Sequence, residues 1–455
     1  MKGTVLVLVA LLVFAATVPM KALAQSPFEP ITVGYLPSIP VLNPTTGYIY
    51  VANAGSGGQQ GEDTVSVISG TTVVATVQNV ELSDIGTEIV LAAGNIYVPV
   101  ATGLVAISGE SVLANLTSLT CGDSGYLGVD NATGVVFYVC GDHGSLIQGS
   151  TASIVQNEVN FTQPCGQGCN IPADLSDPVF DPSNGDMYIS SGPYNQTLVT
   201  SGGPGTLVSV GQFPSVPGVD PSTGDVYVPN TGCEYSTVGL CSISVISGIS
   251  VVATIPLTVE PGTPAYDPAD GYMYIPEGCP NGAGYNCAIG VFSGTSPIAT
   301  LTVHSDDCGG SNNCTPLVFD PTNGYMFVND GNHVEWISGT SDLGLATPVP
   351  EGYSNAEYTP ALDAQTNTLY ESGGYNYVYA MSIPDLISSN ELTTTSQSTV
   401  VATSNATSTT SSSSGGIPEF PYAPGVAVSF AALLVASYLL VRRVSRATRV
   451  PMRAS

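Results

Sequence analysis

Ten cysteines and three histidines are the side chains of this sequence best suited to covalent or metal chemistry, and their spacing sorts them. Cys233 and Cys241 are separated as Cys279 and Cys287 are, each pair following a strand-like run, Tyr-Val-Pro-Asn or Tyr-Ile-Pro-Glu. Cys165 with Cys169 and Cys308 with Cys314 make two more short pairs, which leaves Cys121 with Cys140. An even count in local pairs is the pattern of disulfides in an exported chain. Zinc is the competing chemistry, but no Cys-x-x-Cys pair occurs and an acidic surrounding would protonate the ligands. His143, His304 and His333 are far apart in sequence and would make a metal site only if the fold gathered them. Asp306 and Asp307 lack the ligand spacing of a calcium loop. No nucleophile–base or haem-attachment pattern is present, so the expectation is a protein without catalytic, cofactor or metal residues.

The elements that carry these residues come from a repeat. The stretch FDPTNGYMFVND, residues 319–330, returns as LNPTTGYIYVAN (42–53), VDNATGVVFYVC (129–140), FDPSNGDMYISS (180–191), VDPSTGDVYVPN (219–230), YDPADGYMYIPE (266–277) and LDAQTNTLYESG (362–373). Asp-Pro suits the first corners of a turn, Gly supplies a positive φ, and the alternating run after it reads as a strand. LAAGNIYVPV (91–100) keeps the second strand but has lost the Asp-Pro corner. After each copy comes a second strand–turn–strand with Ser-Gly at its centre, as in VSVISGTTVVATV (65–77) and ISVISGISVVATI (243–255). One unit is therefore four short antiparallel strands, and about eight units of some 45 residues match the period of propeller blades.

On VDPSTGDVYVPN and FDPTNGYMFVND the sequence resembles the YVTN family of β-propeller repeats, found in archaeal and bacterial surface proteins, over roughly residues 30–388. The resemblance implies an all-β propeller of four-stranded blades. The recurrence counts eight blades, whereas the family's usual number implies seven as the alternative. Ile31 to Tyr35 are expected to supply the last blade's missing fourth strand and so close the ring. Eight-bladed quinoprotein dehydrogenases repeat a tryptophan-docking pattern from blade to blade, whereas Trp336 is the single tryptophan here.

Residues 1–25 read as a secretory signal cleaved after Ala24, with a retained anchor as the alternative. Residues 26–388 are then the propeller ectodomain, and residues 389–421 a Ser/Thr-rich stalk, O-glycosylated or bare. Residues 422–441 are apolar and long enough for one membrane-spanning helix. The basic residues 442–455 follow, which places the tail in the cytoplasm and the propeller outside. Pro418, Glu419 and Phe420 before the helix resemble archaeal sorting signals of the PEF type, which implies transfer to a lipid anchor; an ordinary span is the other reading.

Charge narrows the function further. All seven basic residues lie in the signal or the tail, so residues 22–441 contain no Lys or Arg while holding all 35 acidic residues. A nucleic-acid surface is excluded, and the usual clamps for phosphate or carboxylate substrates are missing. A chain without cations avoids positive self-repulsion once its carboxylates protonate, which points to an acidic exterior; simple resistance to aggregation is the alternative.

Blade geometry sets the tight Asp-Pro and Ser-Gly corners on one rim and the long, cysteine-bearing segments on the other. Lengthened loops on a rigid scaffold are where binding is placed, although staples that only protect loops from proteolysis would look the same. Tyr235 and Tyr285 lie in these loops and are candidates for contact with protein or glycan, whereas strand tyrosines such as Tyr50, Tyr227 and Tyr274 read as packing. Asn115, Asn131, Asn160, Asn195, Asn313 and Asn405 are N-glycosylation candidates, with Asn313 compromised by Cys314 inside its sequon. The expected function is a cell-surface binding or adhesion module whose partner is an envelope or extracellular protein or glycan, held at the membrane by its helix or a lipid. A structural associate of the surface layer and a metal-dependent propeller hydrolase are the other classes.

Overall fold

The computed structural model describes residues 28–388, apart from 56–62, 83–87, 120–124, 141–142, 161–174, 234–240, 278–286, 304–316, 330–332, 347–358 and 374–375. The expected signal, stalk, span and tail lie outside these residues. Among the described residues no helix is long and apolar enough to cross a membrane.

Eight four-stranded antiparallel sheets follow one another along the chain. After β1 (Phe28–Thr32), blade 1 is β2 (Val41–Asn43), β3 (Tyr48–Asn53), β4 (Thr64–Ser69) and β5 (Thr72–Val77). Blade 2 is β6 (Val90–Ala92), β7 (Asn95–Val100), β8 (Gly103–Ser108) and β9 (Ser111–Leu116). Blade 3 is β10 (Tyr126–Asp130), β11 (Val135–Cys140), β12 (His143–Gln148) and β13 (Ser153–Asn160). Blade 4 is β14 (Val179–Asp181), β15 (Asp186–Ser191), β16 (Gln196–Thr200) and β17 (Thr206–Ser209). Blade 5 is β18 (Gly218–Asp220), β19 (Asp225–Asn230), β20 (Cys241–Ser247) and β21 (Ser250–Leu257). Blade 6 is β22 (Ala265–Asp267), β23 (Tyr272–Glu277), β24 (Cys287–Ser293) and β25 (Ser296–Val303). Blade 7 is β26 (Leu317–Asp320), β27 (Tyr325–Asn329), β28 (Val334–Ser338) and β29 (Ser341–Ala346). Blade 8 is β30 (Ala361–Asp363), β31 (Thr368–Gly373) and β32 (Tyr377–Ser382), with α1 (Ile383–Ser388) after it.

Eight blades settle the count that the sequence left between seven and eight. Blade 8 takes its outer strand from the other end of the chain: β1 pairs with β32, Ile31 facing Val378. The closing strand is thus Phe28–Thr32 rather than Ile31 to Tyr35, because Ser38 and Pro37 are already drawn to the end of β3, where Pro37 bridges Asn53.

The Asp-Pro corner works through its side chain. In blade 7 the Asp320 carboxylate accepts the Thr322 N–H at 2.8 Å while its carbonyl accepts the Gly324 N–H at 2.9 Å, and Gly324 sits at φ 75°. Asn43 makes the same corner in blade 1, accepting the Thr45 N–H at 3.0 Å. This is an Asx turn closed by a left-handed residue, a conformation open to glycine at little cost. Blade 2 has no such acid; Ala93 and Gly94, both at positive φ, join β6 to β7 in a two-residue turn of the I′ pattern instead. The worn repeat therefore keeps a corner, built more tightly.

Middle strands make the core. β3 and β4 are buried along nearly their whole length, and their two faces pack on different neighbours: Ile49, Val51 and Ile68 against blade 8, Tyr50, Val65 and Val67 against blade 2. Outer strands alternate, as β5 does with Val73, Ala75 and Val77 turned further inward than Thr72, Val74 and Thr76. Blades are also tied by a tyrosine of the second strand. Tyr50 donates to the Gly109 carbonyl of blade 2 at 2.9 Å, Tyr188 to Gly248 of blade 5 at 3.0 Å and Tyr274 to Gly339 of blade 7 at 3.0 Å. Tyr97 reaches Gly149 of blade 3 at 2.8 Å, and Tyr370 closes the ring to Gly70 of blade 1 at 3.2 Å. In each case the acceptor is the glycine of the next blade's turn between its third and fourth strands. Burial pushes the Tyr50 and Tyr97 hydroxyls up to about 12, so they remain donors at any ordinary pH.

Candidate functional site: the loop rim and channel mouth

The two rims differ as the repeat requires. The corner rim is closed by short turns whose polar groups bond internally. The opposite rim is where second strands end, third strands begin and one blade gives way to the next. Five connections reach back across that rim to bridge the end of a second strand: Pro37 to Asn53, Leu82 to Val100, Leu175 to Ser191, Pro214 to Asn230 and Pro261 to Glu277.

Beneath these bridges a buried side chain ends the second strand. The Asn230 amide donates to the Ser242 and Ser244 hydroxyls, both at 3.1 Å, and the Asn53 amide to Thr64 and Ser66 at 3.0 and 3.1 Å. The terminal Asn of the repeat is thus a link to the third strand. In blade 6 Glu277 holds this place, burial raises its pKa, and Gly290 stands where the serine would be. A Cβ on Gly290 would come within 2.5 Å of the Glu277 carboxylate, so the larger acid and the missing side chain go together.

At the channel mouth the structure joins two residues that the sequence did not single out. Glu88, at the entry to the inner strand of blade 2, is hydrogen-bonded to Asp177, at the entry to the inner strand of blade 4. Each raised carboxyl is pushed up by loss of solvation first, and for Glu88 the Asp177 charge adds to it. Two carboxyls so placed hold one proton between them. Water reaches Glu88 in the channel mouth, which tempers the rise without reversing it. Each stands four residues before the corner position of its blade, where other blades carry Ile39, Tyr126, Val216, Thr263, Pro316 and Thr359. Aligning the units at the corner, rather than searching for motifs, would have exposed both acids.

Of the cysteines, Cys233 and Cys241 form a disulfide with Cα atoms 5.0 Å apart, joining the end of β19 to the start of β20 on the loop rim. Cys140, at the end of β11, is also disulfide-bonded, and Cys287 begins β24. Cys121, Cys165, Cys169, Cys279, Cys308 and Cys314 lie outside the described residues, as do Tyr235, Tyr285, His304, Asn313, Asn405, Pro418, Glu419 and Phe420. Asn115 is exposed on β9, Asn131 is exposed at the corner of blade 3, and Asn160 ends β13. Asn195 is half-buried, and its side-chain oxygen accepts the Phe213 N–H at 3.0 Å. His143 opens β12 and His333 lies just before β28, in different blades on the same rim. Among the described residues no group of three His, Cys, Asp or Glu side chains is placed to hold a metal ion.

No family model matches the chain, and no curated relative is found. Among solved structures the chain is similar to the hydrazine synthase of Kuenenia stuttgartiensis, at 14% identity over 54% of this chain and 72% of that one, with a TM-score of 0.42. It is similar to the dihydro-heme d1 dehydrogenase NirN in complex with DHE, at 12% identity over 78% of each chain and a TM-score of 0.49. A functionally unknown protein from Desulfotomaculum acetoxidans is similar at 14% identity over 62% of this chain and 91% of that one, with a TM-score of 0.43. These proteins have unrelated functions, and likeness at this level carries nothing about activity. The eight-bladed architecture rests on the chain's own sheets.

Proposed function

We propose that this propeller is a non-catalytic binding module of the cell surface, taking an envelope or extracellular protein or glycan on its loop rim. The observation that carries the reading is the asymmetry of the rims. One is spent on closed corners, while the other holds the connecting segments, the Cys233–Cys241 disulfide and the Glu88–Asp177 pair. A rigid ring that presents its connecting segments on one face is a scaffold for recognition. Similarity of the repeats to the YVTN family, with its surface proteins, supports the same placement. So do the apolar segment 422–441 and basic tail 442–455, with Pro418, Glu419 and Phe420 as a sorting signal ahead of them. The absence of Lys and Arg between residues 22 and 441 suits an acidic exterior.

The test is a pull-down from the native envelope and from the culture medium, with the oxidised propeller as bait at about pH 3, where free carboxyls are mostly neutral. The expected result is a saturable partner that is lost when the disulfides are reduced. A purified protein that brings a stoichiometric metal and no partner would overturn the reading in favour of a channel-centred enzyme.

A further inference from the structure

Two connections of the loop rim are built alike on opposite sides of the ring. Val33 to Pro40, between blades 8 and 1, read Val-Gly-Tyr-Leu-Pro-Ser-Ile-Pro, and Val210 to Pro217, between blades 4 and 5, read Val-Gly-Gln-Phe-Pro-Ser-Val-Pro. Each is tied to the preceding blade by one bond: the Val33 N–H donates to the Asn376 carbonyl and the Val210 N–H to the Asn195 carbonyl, both at 2.9 Å. Each lays a glycine on the buried Asn that ends the next blade's second strand, since a Cβ on Gly34 or Gly211 would meet the Asn53 or Asn230 side chain at 2.6 and 2.5 Å. Each also puts its fourth residue in the left-handed region, Leu36 at φ 50° and Phe213 at φ 49°, which bulky side chains rarely adopt. Four blades separate the two junctions, so they face one another across the channel.

The shared frame accounts for the backbone but not for the ring at 213. Leucine meets the frame's needs at 36, where it is half-buried, whereas Phe213 is 38% exposed. A second exposed ring stands beside it. Tyr194, 46% exposed, ends the 3₁₀ turn Gly192–Tyr194 between β15 and β16, and Phe213 lies over the start of that turn, its Cδ1 3.8 Å from where a Cβ on Gly192 would be. The Phe213 backbone is held from both sides: its N–H donates to Asn195 Oδ1 at 3.0 Å, and its carbonyl accepts the Thr231 N–H and hydroxyl, both at 3.0 Å. Asn195 is itself left-handed, at φ 54°. Exposed Gln212 comes just before, its carbonyl accepting the Gly232 N–H at 3.0 Å. Two rings and two side-chain amides are thus displayed from a strained, firmly tied backbone, and such strain concentrates at binding sites.

We propose that the blade 4–blade 5 junction binds a neutral carbohydrate, with Phe213 and Tyr194 as stacking faces and Asn195 Nδ2 and the Gln212 amide as partners of its hydroxyls. The proposal rests on the reading of the loop rim as the recognition face and names the ligand class and the residues. Charge selects the class. Apart from Tyr194, no residue in 191–196 or 210–217 is ionisable, so nothing in these segments draws an acidic sugar, a phosphate or a cation. The electron-rich face of an aromatic ring suits the polarised C–H groups of a sugar ring, and a few amides fix its orientation. Size points the same way: two rings less than half exposed offer on the order of 200 Å², against roughly 800 Å² on each side of a standard protein interface. Asn195 heads the sequon Asn-Gln-Thr, and a glycan attached at its Nδ2 would take the ligand's place, so Asn195 here reads a glycan rather than carrying one.

The experiment titrates the full chain in a calorimeter with maltohexaose, cellohexaose, mannohexaose and the neutral glycans released from the native envelope. At least one should bind. Phe213→Leu, which installs the side chain that the matching frame carries at 36, and Tyr194→Ser should each weaken that binding about tenfold with an unchanged midpoint of unfolding. Tyr35→Ser, on the opposite junction, should leave binding as it was, and peptide mapping of the native protein should find Asn195 unmodified. Binding of none of these glycans, binding indifferent to Phe213→Leu and Tyr194→Ser, an equal loss in Tyr35→Ser, or a glycan on Asn195 would each overturn the proposal. If an envelope partner is still captured in such a case, the site fails alone and the surface-binding reading stands; if the unchanged chain captures no partner, it is the broader reading that fails.

Discussion

The aspartate that opens six of the eight corners is the residue on which the repeat most depends. Asp320 is fully buried; one carboxylate oxygen takes the Thr322 N–H and the Thr322 hydroxyl at 2.8 and 2.7 Å, and the other has no hydrogen-bond partner. Asp181 is also fully buried, accepts the Ser183 N–H at 2.8 Å and likewise leaves one oxygen without a partner. What the corner needs is the accepting oxygen rather than the charge, and blade 1 demonstrates it: Asn43 accepts the Thr45 N–H and its amide also donates to the Gly94 carbonyl of blade 2 at 2.9 Å. Asp320→Asn should therefore leave the midpoint of thermal unfolding unchanged or slightly raised, whereas Asp320→Ala should cost about 1–3 kcal/mol by orphaning the corner N–H. Equal losses in the two variants would show that charge matters after all. The corner was legible in the sequence because Asp, Pro and Gly recur at fixed offsets. Glu88 and Asp177 were not, because they belong to no motif and are joined only by the ring that brings blades 2 and 4 together.

Elements of this fold are simple and their joints carry the information. Repeat strands were readable from alternation and turn residues, and the second and third strands became the core as expected. The closing strand was misplaced because Phe-Glu-Pro-Ile-Thr has neither period-2 alternation nor a turn before it; only its partner β32 makes it a strand. Tyrosines of the second strand read as packing, and they do pack, but the hydroxyl's destination in the next blade depends on ring geometry that no single unit contains. Tyr370 is the instructive case, since its bond to the Gly70 carbonyl lies where the last blade meets the first. Tyr370→Phe keeps the ring's apolar contacts and removes this one tie, so it should lower stability by about 1 kcal/mol. Because blade 8 is also held by β1, amide exchange should quicken first in β4 and β5, next to the freed Gly70 carbonyl, while the blade 4–blade 5 junction at Tyr188 stays unchanged. Uniform quickening around the ring would mean that the tie contributes to global stability alone.

At the scale of the whole molecule, a propeller sequence without Lys or Arg decides how the fold answers to pH. The described residues contain no arginine or lysine that could hold a carboxyl charged. Glu88, Asp177, Asp186, Asp267 and Glu277 are each moved upward, with desolvation as the first cause each time. A raised carboxyl binds its proton more tightly in the folded state than in the unfolded one. Between its ordinary and its raised pKa the folded chain holds more protons, and stability falls as pH rises. The contribution is complete below the ordinary carboxylate range and is lost upward through it, Glu88 extending the window to about 8. A composition without cations predicts a thermal midpoint that changes little from neutral pH to about pH 3; the buried carboxyls give that change a sign. The midpoint should rise as pH is lowered from about 8 to about 4, the reverse of acid denaturation driven by the loss of salt bridges. Glu88→Gln sharpens the test, because an amide can donate to Asp177 without needing a proton from solution. That variant should flatten the upper part of the profile, above the usual glutamate range, and leave the lower part in place. A midpoint that falls in acid, or a profile that Glu88→Gln leaves untouched, would detach the channel-mouth pair from the stability of the ring and weaken the case that this protein is built for an acidic surrounding.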